Sequence, residues 1–210
     1  PGDCSVEAGL FDASNPVFEQ RTTNWASHTT DMPFAAWEAI NPAGFPDVDS
    51  YGGAQKCIYF CHTFEALCDP KLYFKEHPEY YSLIDGERIP AGNGFDRPYG
   101  QLCLTNPEVL EIVIRNVRKL LAENPGARLI EVSQNDNGNY CKCERCAAVD
   151  SKEGSPSGLM LRFVNAVADA IADEYPEVLV RTFAYWYTRK PPKLTKPRKN
   201  VIVRYCTIEA

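Results

Sequence analysis

TNPEVLEIVIRNVRKLLAENPGARLIEVSQND, residues 105–136, is the stretch that decides the fold. Thr105 reads as an N-cap, Glu108 three residues later closes a capping box, and Pro125-Gly126 is the stop. Between them Val109, Val113, Val117 and Leu120 recur at helical spacing, so this helix has one face to bury. RLIEVSQ (128–134) then reads as a strand that runs straight into polar residues. A helix that feeds a strand across a short stop is half of a strand-helix-strand unit.

Working outward, the same alternation continues. SGLMLRFVNAVADAIADEYP (157–176) is a second amphipathic helix, with Ser157 as its cap and Leu161, Val164, Val167 and Ile171 on one side. VLVRTFAYWY (178–187) and NVIVRYCTIE (200–209) read as strands, and IYF (58–60) as a short buried strand that delivers His62 to its end. VFEQR (17–21) is counted as the first strand, and DGERIPAGNGFDRPYG (85–100) as a long loop.

This is the pattern of a parallel α/β architecture, and either a (β/α)₈ barrel or an open doubly wound sheet fits it. No G-x-G-x-x-G or G-K-[ST] loop occurs, which weighs against a nucleotide-binding sheet. A full barrel usually takes about 250 residues. The expectation is therefore an incomplete (β/α)₈, TIM-barrel-like domain over 16–210, cut short at its C-terminal end, after a lead-in segment at 1–15.

With 210 residues, 44% of them hydrophobic, the chain can bury one sizeable core. No apolar run is long enough to span a membrane, and PGDCSVEAGL at the start has neither the basic nor the apolar region of a signal peptide. A net charge of −6 argues against a general nucleic-acid binder, which needs a basic face. TRKPPKLTKPRKN (188–200) carries six Lys or Arg in thirteen residues and reads either as a phosphate-binding arm or as a solvated loop. Its three prolines and lack of aromatics favour the loop.

Nine cysteines are present. Cys57, Cys61 and Cys206 sit in apolar, strand-like runs and read as reduced core residues, whereas Cys4, Cys68 and Cys103 stay undecided. Cys141, Cys143 and Cys146, at C-x-C-x-x-C spacing, can converge on one ion as a structural metal site. Zinc normally takes four ligands, and Cys103 and His62 are both candidates for the fourth. A Cys143–Cys146 disulfide and plain thiols remain open alternatives.

In parallel α/β folds the site forms beyond the carboxyl ends of the strands. Those ends carry Glu19 and Arg21, His62 and Thr63, Gln134, Asn135 and Asp136, Tyr185, Trp186 and Tyr187, and finally Glu209. Such a mixture of carboxylates, amides, an imidazole and aromatic faces suits a carbohydrate, whose hydroxyl rim and C–H faces match it. Each residue taken alone also fits a helix cap or a loop bond. Asp136 either points into a cleft or takes part in an ordinary Asn-Asp-Asn-Gly turn. Glu153 is either a catalytic acid or an acidic residue near a helix N-terminus.

Taken together, CHTFEAL (61–67), YFKEHPEYYSLIDGERI (73–89), QLCLTNPEV (101–109), SQNDNGNYCKCERCAAVDSKEGSPSG (133–158), RFVNAVADAI (162–171), FAYWYTRKPPK and NVIVRYCTIE resemble the glycoside-hydrolase-like family called domain of unknown function 4838, from about residue 16 onward. The family is similar in part to the glycoside hydrolase family 163 endo-β-N-acetylglucosaminidases. The resemblance implies a carbohydrate-active barrel in a secreted, periplasmic or cell-surface protein, with an oligosaccharide or a glycoprotein glycan as partner. It further implies a glycosidase acting on N-acetylhexosamine, by substrate-assisted or two-carboxylate chemistry. Asn135-Asp136 would be the site pair, Asp136 or Glu153 the proton donor and Glu209 a second carboxylate. Arg21, His62, Gln134, Tyr185 and Trp186 would bind substrate. No cofactor is required for that chemistry, and a structural zinc is the candidate metal. A non-catalytic glycan-binding module and a metal-knuckle interaction domain are the rival expectations.

Overall fold

The computed structural model describes residues 56–93 and 98–206. The strand expected at VFEQR, with Glu19 and Arg21, and the strand-end Glu209 lie outside the described residues.

The helix of the opening stretch is α3, Pro107–Glu123. Its cap is Asn106, one residue later than expected, whose side chain accepts the Glu108 N–H; Pro107 fills the first turn, where a missing N–H costs nothing. Thr105 is not the cap because its hydroxyl lies 3.2 Å from the Cys146 sulfur. Glu108 does not close a capping box, because its carboxylate takes the Tyr80 hydroxyl. Val109, Ile112, Val113, Val117 and Leu121 form the buried face, and Gly126, at φ 80°, turns the chain into the next strand.

Before it come the short helices α1 (Phe64–Leu67) and α2 (Pro70–Tyr73). Part of the loop expected over 85–100 is instead a hairpin of β2 (Leu83–Ile84) and β3 (Glu87–Arg88). Asp85-Gly86 makes its two-residue turn with both φ values positive, the Asp-Gly signature of a tight hairpin. After it, α4 (Glu144–Glu153) is a helix that periodicity did not reveal, since ERCAAVDSKE has no apolar stripe. The following helix, α5 (Pro156–Ile171), is capped by Ser155 rather than Ser157.

β1 (Cys57–Ile58), β4 (Leu129–Glu131), β5 (Leu179–Ala184) and β6 (Val201–Tyr205) form one parallel sheet in that order. Strand order follows chain order without reversal, as in a barrel wall; a doubly wound sheet reverses at its switch point. The described residues thus form a mixed α/β fold, a parallel four-stranded sheet flanked by helices with barrel-like strand order. They do not make a closed ring of eight.

One face of the sheet, with Ile130, Val132, Val180 and Val201, packs against Val113 and Val117 of α3 and Val164, Val167 and Ile171 of α5. The alternate residues point the other way, and there Glu131 and Arg181, opposite each other in register, are paired at 2.6 Å and almost wholly buried. Burial pushes the Glu131 carboxyl up, and the Arg181 guanidinium pulls it back only in part. No α-helix joins β5 to β6, only a single 3-10 turn at Trp186–Thr188. Residues 189–200, which hold the basic run, cross as a proline-rich loop.

Candidate functional site

The expected strand-end group forms in part. β1 is followed by two non-glycine residues in the left-handed region, Tyr59 (φ 61°) and His62 (φ 54°), and β5 by a third, Trp186 (φ 52°). Strained turns of this kind gather where a fold must aim side chains. His62 Nδ1 donates to the Gln134 carbonyl at 2.9 Å, which leaves Nε2 as the acceptor of the neutral ring, and the ring packs edge-on to Phe183.

Asp136 lies half-buried at the rim beyond β4. Its N–H donates to Asn93 Oδ1 (2.8 Å), and its Oδ1 accepts the Tyr185 hydroxyl (3.0 Å). Tyr185 meets His62 (6.0 Å between centroids) and Trp186 (6.1 Å), and Trp186 keeps 45% of its surface exposed above Gly138. One carboxylate, one phenol, one imidazole and one open indole therefore share the same rim.

The neighbouring amides do not join them. Gln134 is fully buried, with Nε2 on the Tyr185 carbonyl (3.1 Å) and Oε1 accepting from Thr188 Oγ1 (2.6 Å). Asn135 is fully buried too: Oδ1 accepts the Glu65 N–H (3.1 Å) and Nδ2 donates to the Gly100 carbonyl (3.0 Å). Their hydrogen-bonding groups are spent on the loops, so the expected Asn135-Asp136 pair is split into a brace and a rim carboxylate. Sequence reading missed Glu65, a part-buried carboxylate in the first turn of α1. Its Oε2 accepts from Asn93 N (3.2 Å) and Nδ2 (3.1 Å), the residue that also holds Asp136. Its only signal was its position just past the end of β1.

Glu153 sits elsewhere, fully buried at the end of α4. Oε1 accepts from Arg162 Nε (2.8 Å) and Thr195 Oγ1 (2.6 Å), and Oε2 from the N–H groups of Leu194 and Thr195, both at 3.1 Å. A Cβ on Gly158 would stand 2.2 Å from its Cγ. The carboxylate fastens the proline-rich loop to α4 and α5, and none of its partners is a strand-end residue; its surroundings are those of a structural group, not of a free acid.

Burial alone would raise the Glu153 pKa, but the bonds from Thr195, Arg162 and Leu194 outweigh it and hold the carboxyl at about 2. A carboxyl held below its ordinary range stabilises the fold above that range, and the contribution is lost as pH falls toward about 2. Glu153→Gln is expected to cost about 2–4 kcal/mol at neutral pH, because the amide turns a donor toward N–H groups. Thermal melts of both proteins from pH 7 to 3 check this: the gap should be full at pH 7 and shrink below about pH 4.5. Coincident melts at pH 7 would refute it.

The second cluster is of sulfur. Cys141, Cys143, Cys146 and Cys103 are all buried, with their four sulfurs within 4.8 Å of one another. Cys103 Sγ stands 3.7 Å from Cys143 Sγ and 3.8 Å from Cys146 Sγ. A tetrahedral ion with metal–sulfur bonds of about 2.3 Å requires edges of about 3.8 Å, so the set fits. Contacts among the thiols pull Cys103 down and push Cys141 and Cys146 up, so one member of the set leans toward the thiolate that a metal ligand must be.

These cysteines are free thiols, not a Cys143–Cys146 disulfide, and Cys103 rather than His62 is the fourth member. Burial of all four sulfurs makes the cluster an internal brace, with Lys142, Glu144 and Arg145 exposed between them. Cys57, Cys61 and Cys206 are only part-buried, not core residues, because Cys57 and Cys206 stand at strand ends and Cys61 lies in the turn after β1.

Fold and site define a mixed α/β domain with a parallel sheet, a carboxylate and aromatic rim beyond its strand ends, and a four-cysteine cluster able to coordinate a metal ion. The chain belongs to the family described as domain of unknown function, DUF4838, which matches residues 3–210. No curated protein is significantly similar to it. Among solved structures it is similar to the GH36 α-galactosidase AgaB of Geobacillus stearothermophilus, at 14% identity over 52% of this chain and 14% of that one, with a TM-score of 0.34. It is likewise similar to the α-galactosidase AgaA of that organism in a complex with raffinose, at 14% identity over 65% of this chain and 18% of that one, with a TM-score of 0.36. The chain thus spans less than a fifth of either enzyme.

Proposed function

We propose that this domain is the catalytic part of a glycoside hydrolase acting on N-acetylhexosamine-containing glycans, with Asp136 as the reacting carboxyl. The observation that carries the reading is the rim carboxyl itself: one oxygen held by Tyr185, the other taking no hydrogen bond among the described residues, and an open indole alongside on which a sugar face can stack. Families that hydrolyse N-acetylhexosaminides can use the substrate's own acetamide as nucleophile. In that route the acetamide oxygen bonds to the anomeric carbon as the glycosidic C–O bond breaks. Asp136 gives its proton to the departing oxygen and later takes one from the water that opens the cyclic intermediate. With Asn135 turned inward, His62 and Tyr185 are the polar groups left to meet the substrate; Arg21 and Glu209 keep their expected roles. The resemblance to endo-acting enzymes points to chitobiose cores of N-glycans in a secreted, periplasmic or cell-surface setting.

Zinc is the metal that best suits four buried thiolates, in a structural role, since closed all-thiolate sites leave no open coordination position.

The test is hydrolysis of complex N-glycans and simpler N-acetylhexosaminides by the full-length protein, with products identified by mass spectrometry. Cleavage within a chitobiose core is the expected result. Binding without cleavage would favour the non-catalytic glycan-binding module, a reading that the inward-facing Glu153 keeps in play.

A further inference from the structure

Asp136 is carried by a loop that one side chain, two residues before Cys103, grips on both sides of it. Gln101 is 1% exposed. Its Oε1 accepts the Asn135 N–H at 2.8 Å, and its Nε2 reaches the Asn135 carbonyl (3.1 Å), the Asn137 carbonyl (2.9 Å) and Asn137 Oδ1 (3.0 Å). The carboxamide so behaves as an extra peptide group, pairing with the backbone immediately before and after Asp136. Gln101 is itself locked: its N–H donates to Ser82 Oγ (3.0 Å) and its carbonyl accepts the Ser82 N–H (3.0 Å). Cys103 then anchors the segment to the sulfur cluster, whose other members begin four residues after Asn137.

We propose that Gln101 is the positioning residue of the site: it sets where Asp136 stands by clamping both flanking peptides, with the four-cysteine cluster as the fixed point of the clamp. This rests on the reading of Asp136 as the reacting carboxyl. Only an amide can fill the role. A glutamate there would face three carbonyl-type oxygens with a negative charge, and a methionine would fill the volume but drop all four bonds.

The experiment compares full-length wild type, Gln101→Met, Gln101→Glu and Asp136→Asn by three readouts: amide hydrogen exchange, the charge-transfer spectrum after loading with cobalt(II), and turnover of the glycan cleaved best. Gln101→Met is expected to keep the cobalt spectrum and to speed exchange at residues 135–139 by at least about tenfold. It should lower kcat by about 10²-fold while KM moves less than about threefold, the cost of a displacement of about 1 Å at a reacting group. Gln101→Glu should lose most at high pH and recover as the pH falls and the introduced carboxyl regains a proton to donate, a shift that a merely structural role would not produce; it also decides the matter if Gln101→Met does not fold. Unchanged exchange at 135–139 overturns the clamp, whether or not turnover is found. Normal kcat in Gln101→Met with Asp136→Asn inactive overturns the positioning role alone. Full turnover in Asp136→Asn instead overturns the reading of the site.

Discussion

Asp136→Asn is expected to lower glycan turnover by about 10²–10⁴-fold, the usual contribution of a positioned acid–base group, with the domain still folded. The substitution is nearly isosteric, and the amide oxygen can still accept the Tyr185 hydroxyl that Oδ1 accepts at 3.0 Å. The loop itself is held by the Asp136 N–H on Asn93 and by the bonds of Asn135 and Asn137, which the change does not touch. What disappears is the carboxyl that hands a proton to the departing oxygen and takes one from water. Steady-state kinetics with product detection, beside circular dichroism and a melting curve, checks the result. A wild-type rate in the folded variant would remove Asp136 from the chemistry. Glu153→Gln serves as contrast, since its defect is read in the melt and not in the rate per folded molecule.

Cys103→Ser carries the largest expected effect on stability. The full-length protein, purified under reducing conditions, is expected to hold one zinc per domain, and the variant to lose it. Serine keeps the volume but not the soft, readily ionised donor that Cys103 supplies. The cluster joins the segment after the hairpin to the start of α4, across forty residues of chain. Its loss therefore frees one end of each loop behind the rim. Binding energy for structural zinc is folding energy, about 10–16 kcal/mol in small metal-built peptides. A domain with its own core retains part of its fold without the ion, so about 5 kcal/mol is expected, or a fall in Tm of about 10–20 °C. Cys68→Ser, at a buried thiol outside the cluster, should keep the metal and lose far less. Metal analysis and calorimetry decide it. Equal metal content and equal melting in Cys103→Ser and wild type would dismiss the metal site.

Much of this architecture is legible in one dimension. The faces of α3 and α5, the strands that carry Ile130 and Val180, and the parallel alternation follow from spacing, which is a local property. Caps were misread by a residue or two because Thr105 and Ser157 found partners outside their own helices, on Cys146 and on the Lys190 carbonyl. The polar helix α4 was missed because its support is tertiary: Cys146 and Glu153 are its buried residues, and both are held from distant segments.

The site divides along the same line. Sequence alone determined that polar and aromatic residues would gather past the strand ends, that Asp136, Tyr185 and Trp186 would be among them, and that three of the cysteines could share an ion. Only the tertiary structure decided that Gln134 and Asn135 face inward, that Glu153 serves the proline-rich loop, that Glu65 belongs near Asp136 and that Cys103 completes the sulfur set. Those outcomes rest on contacts between residues 28 to 70 positions apart. An amide or a carboxylate is drawn to whichever unpaired backbone group the fold brings beside it, because leaving either one buried and unpaired costs more than any local preference.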